Sequence, residues 1–212
     1  MSKVFGIGLH KTGTTTLGTC FRELGFDHLS CRKDLLAKLR KGEVEAIYSE
    51  IDKYQSFEDW PYPLMYKELA ERYPDAKFIL TLRKDADVWL RSFHRHSLRR
   101  SSMKNAQKLA YGVAYTLGNE EYLKEFYKTH EADVRAFFAQ TEPDRLLVLC
   151  WETGSGWDEL CSFLGLDVPA TPFPHENKDG TAKKSIRLTR RKYVNLINMR
   201  FQHVMKRLFA GS

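Results

Sequence analysis

Several things are scarce in this chain of 212 residues. It has four cysteines, Cys20, Cys31, Cys150 and Cys161, with no C-x-x-C pair and no zinc-ligand spacing. That excludes a disulfide framework and predicts reduced, mostly buried thiols without a structural metal. No apolar run approaches the roughly 20 residues that a membrane-spanning helix needs. The first strand begins near residue 3, which leaves no room for a signal peptide ahead of it. A cytoplasmic protein is expected. There is also no internal repeat, low-complexity tract or linker, so one domain covering residues 1–212 is expected.

A lysine is missing where one opening motif calls for it. Val4-Phe5-Gly6-Ile7 reads as a buried strand, followed by a loop carrying Gly8 and Gly13. An amphipathic helix marked by Leu17, Phe21 and Leu24 comes next. Strand, glycine loop and helix N-terminus form a phosphate cradle, because inward-turned N–H groups and the helix dipole favour an anion. Gly8 and Gly13 have the G-x-x-x-x-G-K-[ST] spacing, but Thr14 replaces the lysine that reaches the β- and γ-phosphates. The lysine sits three positions earlier, at Lys11. Only the short strand before Asp59 ends in anything like the aspartate that holds Mg²⁺. The loop is therefore expected to hold a 5′-phosphate without a metal, and a P-loop small-molecule kinase is the rival reading. A second rival is a non-catalytic module that binds a phosphonucleotide.

Composition is ordinary for a soluble globular protein, with 42% hydrophobic and 29% charged residues. Lysine and arginine exceed aspartate and glutamate by 34 − 27 = 7. The excess clusters at Arg32-Lys33, Arg91–Lys104 and Lys178–Arg207, and solvated helix faces account for most of it. No nucleic-acid motif accompanies the charge.

Further strands are predicted at 25–29, 55–58, 77–82 and 145–150, alternating with helices at 32–41, 43–53, 62–73, 120–140 and 156–164. A helix carrying Val88, Trp89 and Phe93 comes after the 77–82 strand. Residues 100–118 read as polar helix and 165–184 as a long loop. A C-terminal helix over about 186–209 carries Tyr193, Ile197, Phe201, Val204 and Leu208 on a face expected to dock on the sheet. Alternating strands and helices imply a three-layer α/β/α fold with a central parallel sheet. Ligands bind beyond the carboxyl ends of such strands. Lys11, Asp59 and Arg83 each fall just past one.

Lys11-Thr12-Gly13-Thr14-Thr15 resembles the 5′-phosphosulfate loop of sulfotransferases that use 3′-phosphoadenosine 5′-phosphosulfate (PAPS). Arg83, closing Phe78-Ile79-Leu80-Thr81-Leu82, resembles their 3′-phosphate motif, in which a serine stands about two helical turns later. Here Ser92 stands nine residues on instead of the usual eight, so Ser92, Arg91 or another group completes the clamp. Asp59-Trp60-Pro61, Gly156–Gly165 and Pro172–Asn177 resemble blocks of the small, bacterial-type members. Over residues 3–177 the chain thus resembles the P-loop sulfotransferases, in an NTPase-like fold.

The resemblance implies metal-free, in-line transfer of a sulfuryl group to a hydroxyl or amine. PAPS is the co-substrate and 3′-phosphoadenosine 5′-phosphate (PAP) the product. His10, Lys11, Thr12, Gly13, Thr14, Thr15 and Thr16 would surround the 5′-phosphate, and Lys11 would neutralise charge on the bridging oxygen. Asp59 would be the base, with a histidine or a helix-capping role for Asp59 as alternatives. His10 itself is expected to position the loop. Lys184 or Arg187 would approach the 3′-phosphate from a closing loop, unless that loop is merely solvated. Trp60 and Trp89 either stack on a ligand or pack in the core. The acceptor is a small molecule, glycan or lipid, and a homo-oligomer is allowed. Both phosphate anchors must serve one nucleotide.

Overall fold

The computed structural model describes residues 2–98, 106–174, 193–198, 200–201 and 204. Lys184 and Arg187 lie outside these residues, as does most of the 186–209 helix. Five parallel strands form one sheet in the order β2-β3-β1-β4-β5: β1 is Val4–Gly6, β2 His28–Leu29, β3 Ser56–Phe57, β4 Lys77–Thr81 and β5 Leu146–Leu149. All five expected strands are present. The outer two on the β3 side are cut to two residues each.

Both faces of the sheet carry packed helices because its apolar side chains point both ways, as period-2 alternation requires. Phe5, Phe57, Phe78 and Leu80 face one cluster. It is closed by α2 (Lys33–Arg40), α3 (Val44–Ile51), α4 (Tyr66–Arg72), α5 (Ala86–Ser97), α6 (Ala106–Tyr111) and α7 (Glu120–Gln140). Val4, Ile79 and Leu149 face a second cluster, closed by α1 (Thr14–Glu23) and α8 (Trp157–Leu164). Phe5 stacks on Phe57 and Phe78, at ring separations of 4.7 and 5.5 Å. Trp60 and Trp89 are 3% and 0% exposed, which makes them core residues. The thiols of Cys20 and Cys31 are pushed up to about 12, mainly by burial, so they are poor nucleophiles.

Two expectations change. Of the polar helix at 100–118 only α6 is helical among the described residues. Beyond it the chain turns, with Gly112 and Gly118 at φ 75° and 77°, a conformation that ends a helix. The C-terminal helix does not bury its apolar face: Tyr193, Ile197, Phe201 and Val204 are 51–65% exposed. Asn195 is the residue turned inward, its Nδ2 donating to the Leu98 carbonyl at 3.0 Å. Two residues are 200° of helical rotation, so seating Asn195 against the end of α5 turns Tyr193 and Ile197 outward. No described helix is long and apolar enough to cross a membrane.

Candidate functional site

Parallel register brings the carboxyl ends of β1, β3, β4 and β5 to one edge, with Phe5 level with Phe57 and Phe78, and Thr81 level with Leu149. The loops that leave this edge carry Lys11, Asp59, Arg83 and the Trp151–Thr153 turn.

The β1–α1 loop is held from below. The Thr12 hydroxyl donates to the Leu9 carbonyl at 2.6 Å and meets the Thr81 hydroxyl at 2.7 Å. Thr12 is fully buried, so its side chain shapes the loop from beneath. The His130 imidazole meets the Ile7 carbonyl at 2.8 Å, and burial lowers its pKa, which favours a neutral ring that donates there. Gly8 is required by proximity, since a Cβ there would lie 2.1 Å from the Thr81 hydroxyl. Gly13 is required twice over. Its φ is 100°, and a Cβ would lie 2.3 Å from the Trp151 indole. Leu17 makes the first backbone bond of α1, to the Gly13 carbonyl. The N–H groups of Thr14, Thr15 and Thr16 thus have no acceptor in the helix. Thr15 is exposed beside buried Thr14 and Thr16.

Among the described residues, backbone strain marks the two side chains expected to be catalytic. Lys11 and Asp59 are the only described non-glycine residues with positive φ, at 72° and 67°. Such a conformation costs about 1–3 kcal/mol and persists where surrounding structure over-determines it. Asp59 is over-determined: its Oδ1 accepts the Trp60 N–H at 2.9 Å and its carbonyl accepts from Tyr62 at 3.2 Å. The next peptide, Trp60–Pro61, is cis. The short turn Tyr62–Leu64 beyond it carries no side-chain cap bond at its N-cap, Pro61.

His10 is buried and shares a 2.5 Å hydrogen bond with the Tyr111 hydroxyl, while its ring meets Phe93 edge-on at 4.3 Å. Trp89 donates to the His10 carbonyl at 3.0 Å. Burial pushes the Tyr111 phenol well up, and the Asp59 charge pushes it further. His10, Tyr111 and Asp59 therefore form one electrostatic neighbourhood. Tyr111→Phe should cost about 1–3 kcal/mol of stability, because it strips a partner from a buried imidazole nitrogen. Urea denaturation reads this directly, and an unchanged midpoint would mean that the bond carries no weight. His94 and His96 are half-buried. His94 bonds Thr116 at 2.7 Å, and the His96 ring lies 5.7 Å from that of His10. His28 and Glu50 belong elsewhere, His28 beside the buried Glu58 and Glu50 in a pair with Arg32.

Past β4, Arg83 is fixed by its backbone and by an ion pair. Its N–H donates to the Tyr127 hydroxyl at 3.0 Å, and one Nη donates to Glu152 at 2.6 Å. Its Nε is buried and has no hydrogen-bond partner among the described residues. Arg83 lines a cavity of about 380 Å³ with Lys84, Tyr127, Lys128 and Arg135. No residue of the β1–α1 loop lines that cavity. The link between the two is the turn after β5. Trp151 Nε1 donates to the Gly13 carbonyl at 3.3 Å, while the neighbouring Glu152 holds Arg83. Adjacent Cα atoms are about 3.8 Å apart, so the loop and the arginine flank one turn. Asp85 caps α5, accepting from Val88 at 2.6 Å. Further along α5, Arg91 is exposed and Ser92 half-buried.

Trp151, Glu152 and Tyr111 are absent from the residues expected at the site. The rule that selected Lys11, Asp59 and Arg83 also selects the first two, which lie just past β5. Tyr111 carries no local signal, since its partner lies 101 residues away. Among the described residues, no group of three or more histidine, cysteine, aspartate or glutamate side chains could hold a metal ion.

Comparison with known proteins agrees with this geometry. A family model described as a sulfotransferase domain matches residues 3–182. The chain is also 28% identical over 214 residues to Ava biosynthesis cluster protein M of Aspergillus versicolor, covering 82% of this chain and 80% of that protein. On this match, which spans most of its length, the chain belongs to the sulfotransferase-domain family.

Proposed function

We propose that this protein transfers the sulfuryl group of PAPS to a hydroxyl or amine of a small acceptor, without a metal. The observation that carries the reading is the Trp151–Glu152 turn, which touches the Gly13 loop with one side chain and Arg83 with the next. Two cationic anchors on either side of one turn suit the two phosphate ends of one nucleotide. The chain's donors fit such a ligand: three first-turn N–H groups of α1, and an arginine whose buried Nε lacks a partner among the described residues.

PAPS supplies an activated sulfuryl group on a phosphate that leaves readily. Thr14, Thr15 and Thr16 hold the 5′-phosphate with backbone N–H groups and hydroxyls. Lys11 offsets the negative charge that builds on the bridging oxygen as its bond to sulfur breaks. Asp59 takes the acceptor proton while the acceptor oxygen or nitrogen bonds to sulfur. Arg83 grips the 3′-phosphate with its guanidinium fork, and Ser92 or Arg91 completes the clamp. Lys184 and Arg187 remain part of the proposal as cations of the closing loop. The relative's name places it in a biosynthesis cluster, which accords with a small-molecule acceptor.

Calorimetry tests the assignment. PAP is expected to bind more tightly than 5′-AMP or ATP, with Mg²⁺ making no difference. Arg83→Ala should abolish the preference for PAP over 5′-AMP. Tighter binding of Mg-ATP would overturn the assignment in favour of a kinase.

A further inference from the structure

The Glu152 carboxylate does more than pair with an arginine. Its Oε1 accepts from Arg83 Nη2 at 2.6 Å, and its Oε2 accepts the backbone N–H of Lys84 at 2.9 Å. One guanidinium and one backbone N–H, at a strand end just before a helix, are the donors of a phosphate-binding turn. Here a carboxylate of the chain itself fills it, with one oxygen on each donor. Arg83 keeps a further donor, the buried Nε, for which no described residue provides an acceptor. An anion with more than two acceptor oxygens would satisfy all three donors where the carboxylate satisfies two.

The surroundings fit an occupant that can leave. Glu152 is 33% exposed on its side chain, and Arg83 is 25% exposed. The turn that carries Glu152 is one short 3-10 stretch, Trp151–Thr153, with Gly154 after it at φ 102°. The adjoining cavity is lined by Lys84, Lys128 and Arg135 against Asp85 and Glu131. A 3′-phosphate approaching Arg83 meets the Glu152 charge at close range, so the two anions compete for the same donors. A neutral ribose 3′-hydroxyl has no charge with which to displace a carboxylate.

We infer that Glu152 is a specificity-determining residue, an internal anion that occupies the Arg83–Lys84 site until a 3′-phosphate displaces it. The inference rests on the proposed reading of Arg83 as the 3′-phosphate anchor. Glu152 thereby sets a threshold that only a nucleotide with a 3′-phosphate passes. Its neighbour Trp151 bonds the Gly13 carbonyl, so displacement of the turn is felt at the 5′-phosphate loop as well.

The test is calorimetry at one salt concentration with three probes, 5′-AMP, 3′-AMP and PAP, on the native protein, Glu152→Gln and Glu152→Ala. Removing one like charge beside a phosphate is worth about tenfold in affinity. Glu152→Gln is expected to bind 3′-AMP and PAP about tenfold more tightly and 5′-AMP within about twofold of the native value. Glu152→Ala should behave alike, since the gain comes from lost charge. The ion pair is partly open to water and contributes little to folding, so both variants should melt near the native temperature.

Unchanged or weaker PAP binding in both variants, with 5′-AMP unaffected, would show that Glu152 merely orients Arg83, and the inference would fail. Tighter binding of all three probes alike would mark a general electrostatic effect and defeat it equally. The native protein reads the underlying assignment separately: equal affinity for 5′-AMP and PAP there removes Arg83 as a 3′-phosphate anchor, whatever the variants do.

Discussion

Replacement of Lys11 by alanine should slow sulfuryl transfer by about 10²–10³-fold while nucleotide affinity changes far less. The reason lies in where charge develops. A fixed donor aimed at the bridging oxygen acts most strongly as that oxygen gains negative charge, and removing one such donor costs about that factor. Lys11 is held at φ 72°, and alanine at the same position bears a similar backbone cost. The fold should therefore tolerate the change, and Lys11→Met provides a second variant that keeps the side-chain volume. Release of 4-nitrophenol from 4-nitrophenyl sulfate in the presence of PAP runs the transfer backwards and gives kcat. Calorimetry with PAP gives affinity. A loss shared equally between affinity and rate would show that Lys11 binds ground state and transition state alike, and its role would reduce to holding phosphate.

The legible part of this molecule was its frame. Apolar runs such as Phe78-Ile79-Leu80 must be strands buried on both faces, and the helical spacing of Leu17 and Phe21 marks the helix after β1. Their alternation determines a parallel sheet, and the parallel sheet determines the edge at which Lys11, Asp59 and Arg83 gather. What stayed hidden depends on contacts between distant segments. Arg83 meets Glu152 from 69 positions away, a pairing that no local pattern encodes. Cys150-Trp151-Glu152 was reachable by the strand-end rule, yet its lack of glycine or lysine gives it none of the composition of a binding loop. The C-terminal helix illustrates a different limit. Its sequence dictates an apolar face but not what covers that face, and the carbonyl of Leu98 takes Asn195 instead.

Asp59→Asn isolates the proton-transfer step, and phenyl sulfate should reveal it more than 4-nitrophenyl sulfate. Asparagine tolerates left-handed backbone well, and its Oδ1 can still accept the Trp60 N–H that Asp59 accepts at 2.9 Å. The substitution thus removes the charge and spares the turn. On the proposed reading, the protonated Asp59 donates to the departing phenol oxygen in the reverse direction. A poor leaving group needs that proton, whereas 4-nitrophenolate departs with little help. General acid–base assistance is worth about 10²–10⁴-fold, so phenyl sulfate turnover should fall by that order and 4-nitrophenyl sulfate turnover by much less. Asp59→Ala differs, because it also loses the bond to Trp60 and the tolerance for φ 67°, so it should lower the melting temperature where asparagine does not. Equal slowing of both aryl sulfates by Asp59→Asn would assign the residue to geometry alone. The base would then be sought among the neighbouring imidazoles, His10 and His96, whose rings lie 5.7 Å apart.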